Sequence, residues 1–128
     1  MIDMSTWEEL VVDVVNDLNL DPRNVRLDIP DGVPESDIVQ DLFTNEKALS
    51  LVEGIARIGL LTHEVPIVVD RDGQLVVVEG NRRVAALKAI QNPYLAPDHQ
   101  ARISKLAQAV PDRDGVRRIT VKRAPSQD

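Results

Sequence analysis

Apolar residues change period several times along the chain, and each period predicts an element. Trp7, Leu10, Val11, Val14, Val15 and Leu18 recur at helical spacing, with Glu8, Glu9, Asp13 and Asp17 on the remaining face. Ser5-Thr6-Trp7-Glu8 reads as a capping box in front of them, so an amphipathic helix is expected first, broken at Leu20-Asp21-Pro22. Residues 25–27 are a short strand candidate, and 28–36 (DIPDGVPES) a turn-rich loop. Ser36 or Asp37 can cap a short helix through Leu42. Asn45 can cap a longer one whose apolar side carries Leu49, Val52, Ile55, Ala56 and Ile58, with Gly59 as its C-cap.

The period then shortens. Residues 65–70 and 74–78 are nearly continuous apolar runs flanking Arg71-Asp72-Gly73, in which Asp-Gly is a hairpin signal. Strands of that kind belong inside a sheet covered on both faces. Residues 81–90 follow as a helix ending before Asn92-Pro93. Pro97 opens another, with Ile103, Leu106, Ala107 and Val110 at helical spacing. A turn at 112–115 and an alternating strand at 118–122 close the order, and residues 124–128 are expected to be a disordered tail. The order predicts an α/β (α+β) fold: one domain over residues 1–123, with a small mixed β-sheet and flanking helices.

Composition removes several chemistries. The chain has 128 residues, 43% of them hydrophobic, enough for a modest core. It has no cysteine, which removes thiol catalysis, disulfides and thiolate metal sites. His63 and His99 are the only histidines, so neither zinc nor haem is expected. With only Trp7, Phe43 and Tyr94, stacking platforms for single-stranded nucleic acid are not expected either. No apolar run approaches the roughly 20 residues of a membrane span, so a cytoplasmic protein without membrane partners is expected. The net charge of −6 is unevenly spread: residues 1–41 hold eleven acids and two bases, and residues 79–128 five acids and ten bases. Two readings stand, solvated faces or a basic C-terminal half that meets phosphates.

The most informative junction is QLVVVEGNRRVAALKAI, residues 74–90, where a valine strand passes through Glu79-Gly80-Asn81-Arg82-Arg83 into a helix. The first helical turn has N–H groups with no intrahelical acceptor, and they favour an anion together with the helix dipole. Gly80 permits close backbone approach, and Asn81 can cap the helix. Arg82 and Arg83 oppose the dipole, at a cost of a few tenths to about 1 kcal/mol. A phosphate would convert that cost into charge-assisted hydrogen bonds; the plainer alternative pairs them with acids such as Glu79 or with solvent. Glu79 is a candidate general base, magnesium ligand or arginine partner. His63-Glu64 is a further acid–base pair, read first as surface loop. Arg26, in its strand candidate, faces either a ligand cleft or solvent, as do Arg23 and Asn24.

These segments resemble the ParB/sulfiredoxin superfamily, specifically the N-terminal domain of ParB-like proteins of bacterial type. The resemblance begins near LDPRNVRL (20–27) and runs through LSLVEGIARIGLLTHEVPIVVDRDGQLVVVEGNRRVAALKAI (49–90), with RRITVKR as the final strand. It implies a ParB/sulfiredoxin-like fold in which the Gly-Glu-Arg-Arg turn binds nucleotide phosphates, of CTP in partition proteins and of ATP in sulfiredoxins and related kinases. By position, Gly80, Asn81, Arg82, Arg83 and Arg26 become phosphate contacts. This chain reads Asn81 where partition proteins have Glu, and Ala85 where many carry a third arginine; without the family's cysteine, sulfiredoxin activity is excluded. The implied function is a nucleotide-binding domain in a DNA-associated system, either regulatory or phosphoryl-transferring or NTP-hydrolysing. Mg2+ would accompany CTP or ATP, and a homodimer fits. The alternatives are a non-catalytic DNA- or protein-binding adaptor, as in partition, phage defence or DNA modification, and a ParB-like nuclease, which needs clustered carboxylates for metals; Asp70, Asp72 and Glu79 are the acids at hand, the first two more simply explained by the hairpin turn. Met1 reads as a native start, and the tail as the cut point of a longer protein.

Overall fold

The computed structural model describes residues 7–20, 35–45, 48–58, 65–110 and 115–125. The elements are β1 (Glu8–Asp13), β2 (Leu18–Leu20), α1 (Glu35–Asn45), α2 (Ala48–Ile58), β3 (Ile67–Arg71), β4 (Gln74–Glu79), α3 (Asn81–Gln91), α4 (Gln100–Gln108) and β5 (Arg118–Arg123). Two 3-10 turns, Pro93–Leu95 and Pro97–His99, link α3 to α4. The expected α+β class with a small mixed sheet is observed. The strands order β1-β5-β3-β4-β2; β1/β5 and β3/β4 are antiparallel, β3/β5 and β2/β4 parallel.

The first expected helix is not a helix. Residues 8–13 form β1, and 18–20 form β2. The valine-rich segment satisfies both periods. In the extended form Leu10 and Val12 turn inward while Val11 is 72% exposed. Two things decide for the strand: β-branched side chains fit the pleat, and β5 supplies a complete partner, from Glu8 opposite Arg123 to Asp13 opposite Arg118. Glu8, expected in a capping box, lies in this ladder.

β1 and β2 are the two edges of the sheet, yet one tight turn joins them, with the Asp17 N–H donating to the Asp13 carbonyl at 2.8 Å. Five flat strands at about 4.8 Å spacing would separate the edges by about 19 Å. The sheet must therefore curl until its edges approach. Asp13 holds the turn: Oδ1 accepts from the N–H groups of Val15 (2.8 Å) and Asn16 (3.2 Å), and Oδ2 accepts from Arg117 Nε at 2.9 Å. Burial alone would raise the Asp13 carboxyl, but the Arg117 guanidinium and the two backbone donors outweigh it and hold the group below its ordinary value.

The hairpin forms as expected. Asp72 (φ 55°) and Gly73 (φ 82°) both take the left-handed conformation of a tight two-residue turn, and Asp70 Oδ1 accepts from the Gly73 N–H at 2.9 Å. Val76 and Val77 are consecutive and both buried, so β4 is covered on both faces. β3 buries Val68 and leaves Ile67 and Val69 half-buried. The helices differ from expectation at their ends: α1 runs to Asn45, which closes that helix rather than opening the next, and α2 begins at Ala48. Gly59, residues 25–34, the 112–114 turn and the last three tail residues lie outside the described residues.

α3 is the central helix. Every residue from Val84 to Ile90 is buried, and it packs against α2, α4 and the sheet. A helix without a polar face belongs in a core. Its one ionisable core residue, Lys88, is 2% exposed.

Candidate functional site

The β4–α3 junction is built from the strand outward. A β-bulge shifts the β3/β4 register between Ile67 and Val68, so that Ile67 opposes Glu79 while Val68 opposes Val77. Bulges redirect the chain at such points. Gly80 then takes φ 96° and occupies the N-cap position of α3. A Cβ there would meet Pro66 Cβ at 3.2 Å and Cα at 3.3 Å. Glycine is therefore required twice, by backbone conformation and by the proline ring beneath it. The close approach that the sequence suggests for a ligand is made to Pro66.

Asn81 does not cap the helix. It is the first residue of α3, 8% exposed, and its Nδ2 donates to the Val77 carbonyl at 2.9 Å. That bond ties the helix start back to β4. Gly80 at the N-cap has no side chain to cap α3; the first intrahelical bond runs from the Val84 N–H to the Gly80 carbonyl at 3.0 Å. Arg82 is exposed and Arg83 half-buried in this first turn, and Glu79 is exposed at the end of β4. Five of the six expected site residues are thus contiguous at one corner. Arg26 lies outside the described residues, as do Arg23, Asn24, His63 and Glu64. Among the described residues no group of three or more His, Asp or Glu side chains is gathered to hold a metal. Asp70, considered for a metal, serves the hairpin turn instead.

Sequence reasoning missed the buried ion pair. Lys88 Nζ lies 2.9 Å from Glu35 Oε1 and donates to the Leu18 carbonyl at 2.7 Å, while Glu35 Oε2 accepts from the Leu20 N–H at 3.1 Å. One side chain of α3 thereby joins the start of β2 to the start of α1. Glu35 in the first turn of α1 also complements that helix's dipole. The available signal was a lone lysine in the otherwise apolar run VAALKAI.

The structure also accounts for part of the charge asymmetry. Arg117 pairs with Asp13 (2.9 Å), Lys122 with Glu9 (3.9 Å) and Arg123 with Glu8 (3.0 Å), all between β1 and β5 or at their ends. With Lys88–Glu35, four of the ten bases in residues 79–128 meet acids from the first 41 residues. Part of the charge asymmetry is thus met within the fold, by pairs between the two ends of the chain.

No family model, curated protein or solved structure matches this chain. No helix among the described residues is long and apolar enough to cross a membrane.

Proposed function

We propose that the β4–α3 junction binds the phosphate groups of a nucleotide. The observation that carries this reading is an arginine pair, Arg82 and Arg83, in the first turn of a central helix whose N-cap position is a glycine, Gly80, with no side chain of its own to cap it. The first-turn N–H groups and the helix dipole favour an anion, and Arg82 is exposed to meet one. Gly80 and Asn81 shape the corner from below, one by packing on Pro66 and the other by bonding the Val77 carbonyl. Glu79 stands beside the arginines, suited to orient one of them or a nucleotide-bound Mg2+. The resemblance to ParB-like domains names CTP and ATP as the first ligands to try, and a DNA-associated regulatory or phosphoryl-transfer role as the setting.

Calorimetric titration with CTP, ATP, ADP and GTP, with and without Mg2+, tests the proposal. Binding of at least one nucleotide is expected, lost in the Arg82→Ala/Arg83→Ala variant. Silence with all four, or unchanged binding by that variant, overturns it. The adaptor reading drew its support from the basic C-terminal half, four of whose bases are engaged in ion pairs with the acidic half. Direct DNA contact would appear as binding to short duplexes that weakens steeply with salt.

A further inference from the structure

We draw no further inference here: the strongest candidate, the outer edge of β1 at the exposed Val11, is a strand edge with no partner strand among the described residues, and nothing in the structure shows what covers it.

Discussion

Lys88 and the Arg82–Arg83 pair belong to one helix, α3, and the fold treats their charges in opposite ways. Lys88 sits in the core with a carboxylate at 2.9 Å and a backbone carbonyl at 2.7 Å. Arg82 and Arg83 stand at the helix start, where their charge opposes the dipole. A buried cation must carry its partner with it, because desolvation costs more than an exposed pair returns. Arginines at a helix start gain most when an anion arrives. The contrast gives Lys88 an architectural role, while recognition by the arginine pair is the role we propose for it.

The largest effect tests the architectural half. Glu35→Leu leaves the buried Lys88 ammonium without its counter-charge and should cost about 3 to 5 kcal/mol, the range for breaking one side of a buried pair. Denaturant unfolding reads it. The double variant Lys88→Met/Glu35→Leu should recover part of the loss, and additive losses would show that the two residues are not coupled.

Gly80→Ala comes next. A left-handed non-glycine residue costs about 1 to 2 kcal/mol, and Pro66 must also give way. The midpoint of unfolding should fall accordingly, and nucleotide affinity should fall with it, because the same turn aims the first helical N–H groups. A fully stable Gly80→Ala protein would contradict the positive φ and the Pro66 contact together.

Arg82→Ala and Arg83→Ala should separate binding from stability. Each should weaken nucleotide binding by about tenfold or more, which corresponds to about 1.4 kcal/mol. Stability should stay level or rise by a few tenths of a kcal/mol, because a charge opposing the helix dipole is removed. A large loss of stability would place these arginines with Lys88 and erase the comparison.

Acid separates the Asp13 turn from both. The folded carboxyl lies below its unfolded value of about 3.9, so its stabilisation is present above that pH and is lost as pH falls through the folded value. Stability measured across the range below about pH 4 should decline less steeply in Asp13→Asn than in the parent. Equal slopes would dismiss Asp13 as a contributor. The smallest effect belongs to Arg123→Ala, whose exposed pair with Glu8 is worth about 0.2 to 1 kcal/mol and should matter less at high salt.

The chain itself determined what local chemistry decides. Asp72-Gly73 signalled a tight turn, the apolar runs on either side paired as its strands, and Gly80 marked a place of close backbone approach. Residues 81–90 read as a helix, and β5 showed its alternation. Five of the six expected site residues fall at one corner for the same reason: they are consecutive in the chain. Tertiary structure decided whatever depends on a distant partner. Leu10 and Val11 fit a helix stripe as well as a strand until β5 arrives from the far end of the chain to pair with them. Asn81 looked like a cap until the Val77 carbonyl claimed its amide. The acidic first third and the basic C-terminal half read either as solvated faces or as a surface that meets phosphates. Glu8, Glu9 and Asp13 instead pair with Arg123, Lys122 and Arg117, up to 115 residues away in sequence. Lys88 finds the Leu18 carbonyl 70 residues away and is held there by Glu35, because a core that buries a cation must bring its counter-charge from another element.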